Sequence, residues 1–144
     1  MNNLEYSIVN EIRFLPNDKT TFPTYEDIKC FLTETMKNRD GVYNYTGLSM
    51  NCKENTLVFF QYNGSLIASA ILMQNVRGRC YDEAGDEYKG HYVFDMNTMQ
   101  VFNTPISADE VRSIDSTFKN FSQCKRIVDI SLLDEMVALI EKNR

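Results

Sequence analysis

The stretch TLVFFQYNGSLIASAILM, residues 56–73, carries two apolar segments on either side of Asn63-Gly64. Asn-Gly supplies the two positive φ angles of a type I′ turn, so the stretch predicts a β-hairpin with strands at 56–62 and 65–73. Apolar side chains occupy both faces of the first strand. A strand of this kind is central in a sheet or lies inside a barrel.

Capping motifs predict the helices around this hairpin. Thr24 and Asp27 form a capping box before apolar residues at helical spacing, which predicts a helix over residues 25–37. Ser107 and Glu110 form a second box before a short helix. The other predicted elements are a lead-in segment or strand at 4–15, strands at 42–45, 91–95, 98–102 and 126–130, a polar connection at 74–90, and a C-terminal helix at about 131–142. This order favours an α+β fold with a mostly antiparallel sheet.

The composition is that of one globular domain spanning residues 1–144, with 43% hydrophobic residues and a formal net charge of −5. It excludes disordered, collagen-like and coiled-coil proteins. No apolar run reaches the roughly 18 residues that a membrane span requires, and the N-terminus lacks the profile of a signal peptide. We therefore expect a cytoplasmic protein with no membrane partner.

The cysteines and the single histidine argue against a metal site and against common catalytic arrangements. The four cysteines, at positions 30, 52, 80 and 124, include no C-x-x-C pair, so we expect reduced thiols and no metal. His91 has no Ser or Cys nucleophile near it in a recognisable motif. We expect it to be a side chain at the end of a strand, not a catalytic base.

The sequence has two enzymatic alternatives, and the first is an acetyltransferase. Residues 57–73 resemble the central hairpin of acyl-CoA N-acetyltransferases, with Arg77-Gly78 where their pyrophosphate loop would lie. However, residues 79–86 have no apolar helical period and place acidic groups where a helix N-terminus would bind phosphate. A small acetyltransferase-like enzyme is therefore the third-ranked function, and we expect no cofactor.

The second enzymatic alternative is a metal-dependent nuclease built on Asp82, Glu87 and Lys89. These residues fall in a short, acidic, Gly-containing segment, which is typical of a solvated loop. We therefore expect neither Glu87 nor Lys89 to be catalytic.

A binding pocket is the third kind of site. Tyr43 and Tyr45 share one face of the strand at 42–45, and Ser49 and Asn51 follow on a polar loop. Aromatic rings beside small amide and hydroxyl groups suit a flat ligand that stacks and forms hydrogen bonds. The alternative is that the tyrosines only pack the core.

A wider pattern resembles a known family. GVYNY at 41–45, LVFFQYNGSLIASA at 57–70 and YVFD at 92–95, followed by Thr98, Val101-Phe102 and Pro105-Ile106, resemble the PUA-like superfamily. The order is most similar to the EVE and YTH-type domains of modification-dependent restriction endonucleases, over about residues 24–115. The resemblance implies a small, partly closed β-barrel flanked by helices. The chain has no Trp, so tyrosines would have to form the aromatic wall that such domains commonly build with Trp.

The resemblance also implies a function and places Tyr92 and Asp95 near the pocket. The preferred function is a non-catalytic nucleic-acid recognition module that reads a flipped, modified base. The expected partner is modified double-stranded DNA in a restriction or defence system, in which a nuclease domain would follow this one in a longer chain. The expected base-binding residues are Tyr43, Tyr45, Ser49, Asn51, Tyr92 and Asp95, and the expected phosphate contacts are Arg77 and Arg79.

The competing function is a protein-interaction or regulatory domain on the same fold. The net charge of −5 and the acidic segment favour it, because an anionic surface repels phosphate. A basic rim around an aromatic pocket would instead favour nucleic acid. The residues expected to form such a rim are Lys53, Arg77, Arg79, Lys125 and Arg126.

Overall fold

The computed structural model describes residues 3–144, with side chains from Glu5 onward. The strands are β1 (Glu11–Asn17), β2 (Val42–Tyr45), β3 (Thr56–Tyr62), β4 (Ser65–Tyr81), β5 (Glu87–Ser107) and β6 (Ile127–Val128). The helices are α1 (Tyr25–Cys30), α2 (Met36–Asn38), α3 (Ala108–Ile114) and α4 (Leu133–Asn143), and there are 3₁₀ turns at Asn3–Tyr6 and Ile130–Leu132. No helix within the described residues is long and apolar enough to cross a membrane.

All six strands belong to one sheet, in the order β2-β5-β4-β3-β1-β6. Only β1 and β3 pair in parallel; the other neighbours are antiparallel. The α+β class is therefore confirmed. The expected partly closed barrel is not formed, because β2 and β6 are opposite edges of an open sheet.

The hairpin predicted at residues 56–73 is confirmed. Asn63 and Gly64 have φ angles of 49° and 78°, and Tyr62 pairs with Ser65 across the turn. β3 lies between β4 and β1 and is buried along its whole length. Its two apolar faces therefore serve two separate cores.

The prediction of a polar connection at 74–90 is wrong. β4 has 17 residues and β5 has 21, and together they form a long hairpin whose outer end is mostly exposed. Its tip turns at Asp82, whose N–H donates to the carbonyl of Asp86 at 3.1 Å. Backbone pairing maintains strands here without an alternating apolar pattern, which is why the sequence does not reveal them.

The two strands expected at 91–95 and 98–102 are one strand with an irregular register. Residues 96–99 lie between the pairs Ile71–Asp95 and Ser69–Gln100. The Thr98 hydroxyl donates to the Asp95 carbonyl at 2.6 Å and accepts from the Ile71 N–H at 2.8 Å. The polar residues that suggested a turn therefore form a bulge.

Both predicted capping boxes are present, at Thr24 and at Ser107. The first helical segment continues from α1 through a π-helical turn, Phe31–Thr35, into α2. The strand expected at 126–130 is only two residues long, because Asp129 already caps the 3₁₀ turn that precedes α4 through the N–H of Ser131.

The sheet has a core on each face. We call one the helix-side core, after α3 and α4, and the other the cavity-side core, after a cavity that opens on the same face. The helix-side core lies against α3 and α4 and includes Phe14, Leu57, Phe59, Phe102 and Ile140. The cavity-side core lies against α1, the π-helical turn and α2 and includes Leu32, Met36, Phe60, Tyr92 and Phe94. Adjacent residues of β3 therefore contribute to opposite cores, as strand alternation requires.

Candidate functional site

A cavity of about 400 Å³ opens on the cavity-side face of the sheet, next to edge strand β2. Its walls come from the end of β1, the segment before α1, β2 with the residues after it, and the outer part of β5. The lining residues with aromatic, charged or amide side chains are Asn17, Asp18, Phe22, Phe31, Arg39, Tyr43, Asn44, Tyr45, Tyr88, Tyr92 and Lys125.

Strand geometry gathers the tyrosines of this wall. Tyr43 and Tyr45 lie two residues apart on β2, and Tyr92 is the register partner of Tyr43 on β5. The Tyr92 ring centroid lies 4.7 Å from that of Tyr45 and 5.9 Å from that of Tyr43. Tyr88 lies four residues before Tyr92 on the same strand, so alternation directs it to the same face. The structure thus brings together the three tyrosines named from the sequence and adds a fourth.

The four rings differ in exposure. Tyr92 is 0% exposed and Tyr45 is 9% exposed, so both rings lie behind the surface of the cavity wall. Tyr43 and Tyr88 are partly exposed. The rings available to a ligand are therefore those of Tyr43 and Tyr88.

Asn17 fixes the position of Tyr43. The Tyr43 hydroxyl donates to Asn17 Oδ1, while Asn17 Nδ2 donates to the carbonyls of Leu15, at 3.0 Å, and Gln61, at 3.2 Å. Burial raises the pKa of Tyr43 above its ordinary value. The phenol is therefore a neutral, immobilised group.

Met50 anchors the loop that follows β2. Its N–H donates to the Tyr92 hydroxyl at 2.8 Å, and its carbonyl accepts from the buried guanidinium of Arg13. Burial raises the pKa of Tyr92, so this hydroxyl also stays neutral. The loop is therefore tied to the sheet on the far side of the tyrosine wall.

Tyr45 packs across Gly90. A β-carbon at position 90 would lie 2.3 Å from the Tyr45 hydroxyl oxygen, so only glycine leaves room for this ring. The Tyr45 hydroxyl is buried and has no hydrogen-bond partner among the described residues.

Three predicted pocket residues do not line the cavity. Ser49 Oγ accepts from Asn75 Nδ2 at 2.9 Å, and Asn51 Oδ1 accepts from Arg77 at 2.6 Å, so both side chains face β4. Asp95 follows Phe94, whose side chain is in the cavity-side core, so alternation points Asp95 to the other face. The expectation that six residues share one cavity is wrong for these three.

The predicted phosphate contacts are also elsewhere. Arg77 donates a hydrogen bond to Asn51, and Arg79 forms an exposed ion pair with Glu87 at 3.4 Å. Neither arginine lines the cavity. Of the five residues expected to form a basic rim, Lys125 alone lines it.

Arg39 is a cavity cation that the sequence did not reveal. Its Nε and Nη2 each donate to a carboxylate oxygen of Glu83 at 2.8 Å. These hydrogen bonds lower the pKa of Glu83 below its usual value. Lys125, by contrast, forms no ion pair within residues 3–144.

Asp18 adds an acceptor to the same cavity. Its Oδ1 accepts from the N–H of Thr21 at 2.8 Å, and its Oδ2 accepts no hydrogen bond from the described chain. The cavity thus combines aromatic faces, a carboxylate oxygen and two cations. Nowhere in the described residues, the cavity included, are three His, Cys, Asp or Glu side chains grouped as metal ligands.

Comparison with solved structures identifies a similar fold. The YTH domain of the Zygosaccharomyces rouxii MRB1 protein, solved in complex with N6-methyladenosine RNA, is 15% identical in sequence and superposes with a TM-score of 0.52. The similarity covers 92% of this chain and 88% of that one. No protein-family model and no curated protein matches the sequence. The chain therefore has a YTH-like α+β fold.

Proposed function

We propose that this protein is a non-catalytic module that binds a modified nucleobase of RNA in the tyrosine-walled cavity. The observation that carries the proposal is the cavity itself: two partly exposed rings, Tyr43 and Tyr88, beside a polar edge in a YTH-like fold. A cavity of about 400 Å³ falls in the range of small-ligand sites.

The ring faces and the polar groups have different tasks in this proposal. Tyr43 and Tyr88 stack on the base, which stabilises binding regardless of base identity. The free oxygen of Asp18 accepts a hydrogen bond from an N–H on the base edge, which supplies selectivity. Lys125 contacts a phosphate outside the cavity.

RNA is a better match than the double-stranded DNA expected from the sequence. A duplex-binding protein neutralises several phosphates with a broad basic surface. Here the net charge is −5, and the cavity has two cations, one of them paired with Glu83. A short single strand with an accessible base needs fewer such contacts. A role in a restriction or defence system stays a prediction from the sequence, as does a cytoplasmic location.

Fluorescence anisotropy with short single-stranded RNAs tests the proposal. One probe carries N6-methyladenosine, a second carries unmodified adenosine, and others carry 5-methylcytosine or cytosine; matched duplex DNAs complete the set. We expect measurable binding to at least one modified RNA and weaker binding to its unmodified partner. Lys125→Ala should weaken binding to every RNA alike, whereas Lys119→Ala, an exposed lysine away from the cavity, should not.

The absence of binding at low salt to every probe would overturn the proposal. The protein-interaction alternative, which the acidic tip of the β4–β5 hairpin favours, would then take its place.

A further inference from the structure

A second depression lies beyond the cavity. We call it the outer groove; its volume is about 400 Å³, and its lining includes Arg39, Asn44, Tyr81 and His91. His91 adjoins Tyr92 on β5, so alternation turns its side chain away from the cavity-side core. The outer groove therefore opens on the opposite side of the sheet from the tyrosine wall.

The cavity and the outer groove are continuous. Arg39 and Asn44 line both of them. Because β2 is an edge strand, a ligand can pass around it from one face of the sheet to the other without meeting another strand. A chain molecule with one unit in the cavity would thus have its next unit beside Arg39.

The outer groove combines rings that can stack on a second base with one cation, Arg39, and it is also lined by the carboxylates of Asp82 and Glu83. The Tyr81 side chain is 59% exposed, a large fraction for an aromatic residue, and His91 is partly exposed. Aromatic and imidazole rings both stack on unpaired bases. The Arg39 guanidinium, at the boundary between the two sites, has the forked donor geometry that suits phosphate.

We propose that the outer groove binds the nucleotide adjacent to the base held in the cavity. This inference rests on the proposed function. Tyr81 stacks on the second base, and Arg39 contacts the phosphate that joins the two nucleotides. The bound ligand is therefore a single-stranded RNA segment that wraps the β2 edge.

Glu83 opposes this binding. Its carboxylate occupies the guanidinium of Arg39 and would repel a phosphate there. The Glu83 side chain is 69% exposed and that of Arg39 only 23%, so the carboxylate can move into water while the guanidinium stays in place. Phosphate binding therefore replaces Glu83 at Arg39.

The test uses two single-stranded RNA probes with the same modified base. In one, both neighbouring nucleotides are intact; in the other, both are abasic. Tyr81→Ala should bind the intact probe about tenfold more weakly and the abasic probe as the wild type does. Tyr81→Phe, which keeps the ring, should match the wild type on both probes.

A charge series tests the phosphate contact. Glu83→Gln should tighten binding to both probes by about threefold, since it frees Arg39. Asp86→Asn removes the same charge from the same hairpin tip without touching Arg39 and should have a smaller effect. Arg39→Gln should weaken binding, whereas Arg112→Gln, which breaks an ion pair on α3, should not.

The outcomes separate the two proposals. If the wild type binds modified RNA but Tyr81→Ala binds the intact probe equally well, the outer-groove assignment is wrong and the cavity assignment stands. If the wild type binds neither probe, both are wrong. Circular dichroism melting of each variant establishes that it is folded.

Discussion

Both cores of the sheet contain phenylalanines, but they differ in their tyrosines. The helix-side core uses phenylalanines, which contact one another through ring edges, as Phe14 does with Phe59 and Phe118 at centroid distances of 5.9 and 6.1 Å. The cavity-side core contains Tyr45, Tyr62 and Tyr92. The helix-side core has one buried tyrosine, Tyr6, whereas the cavity-side core has three, two of which form hydrogen bonds to loops.

The hydroxyls of Tyr62 and Tyr92 hold two loops in place. Tyr62 donates to the carbonyl of Phe22 at 2.7 Å, and Tyr92 accepts from the N–H of Met50 at 2.8 Å. The segment before α1 and the loop after β2 are each joined to a strand in this way. The comparison teaches that both cores bury apolar side chains, while the tyrosines of the cavity side also fix the loops that shape its opening.

The largest effect should come from breaking the helix-side core. Phe59 is fully buried, so Phe59→Ala should destabilise the protein by about 3–5 kcal/mol through lost burial and the space left behind. Denaturant unfolding measures this change. A loss below about 1 kcal/mol would contradict the placement of Phe59 in a tightly packed core.

Gly90→Ala should perturb the cavity side more locally. The added methyl group would overlap the Tyr45 hydroxyl and force the ring to move, at a cost of about 1–3 kcal/mol. Near-ultraviolet circular dichroism should report the altered tyrosine packing. Gly47→Ala, where a β-carbon meets no atom within 4 Å, is the matched stability control; equal melting temperatures for the two variants would refute the close contact.

Tyr43→Phe keeps the aromatic ring and removes its hydroxyl, so it tests the two groups separately. The change removes the hydrogen bond to Asn17 and should cost about 0.5–1.5 kcal/mol of stability while leaving the stacking surface in place. Thermal melting and RNA titration of the same variant test both parts. Tyr25→Phe is the control, because the Tyr25 hydroxyl has no hydrogen bond within the described residues. Loss of all RNA binding in Tyr43→Phe would show that the hydroxyl matters more than the ring.

The smallest effect concerns acid stability on the helix side. Burial tends to raise the pKa of Asp115, but hydrogen bonds from Thr117 and Arg126 outweigh it and lower the pKa below its ordinary value of 3.8. Because the pKa of Asp115 is lower in the folded state, its ionised carboxylate stabilises the fold. This stabilisation is present above pH 3.8 and is lost as the pH falls further.

Asp115→Asn should therefore reduce stability at neutral pH, by on the order of 1 kcal/mol or less, and flatten its decline in acid. Melting curves between neutral pH and about pH 3 measure both effects. A decline as steep as that of the wild type would rule out Asp115 as the responsible group.

Local patterns in the sequence predicted the parts of the fold that depend on neighbours along the chain. Asn63-Gly64 and the capping boxes at Thr24 and Ser107 need only residues a few positions apart. The alternation of Tyr43 and Tyr45 likewise places both rings on one face. Each of these predictions rests on a short-range backbone preference, which is why it could be made from the sequence.

The remaining features depend on contacts between distant segments. Arg39 reaches Glu83 from 44 residues away, and its place in the cavity follows from the length of the β4–β5 hairpin, which has no apolar pattern. Tyr88 fell in the supposed polar connection for the same reason. No local pattern marks Asn17, whose buried amide donates to carbonyls of two strands. The open sheet was missed because strand order is not encoded in local periodicity.

The position of β1 has a consequence for how the protein matures. β1 pairs in parallel with β3, and Asn17 bonds to Gln61 44 residues later, while the other edge of β1 pairs with β6 near the end of the described chain. The cavity itself draws its walls from Leu15 through Lys125. During synthesis, no early segment can fold into a partial binding site, since loops must close over long distances before its walls meet. Binding competence should therefore arise in a single late step, after β6 has emerged.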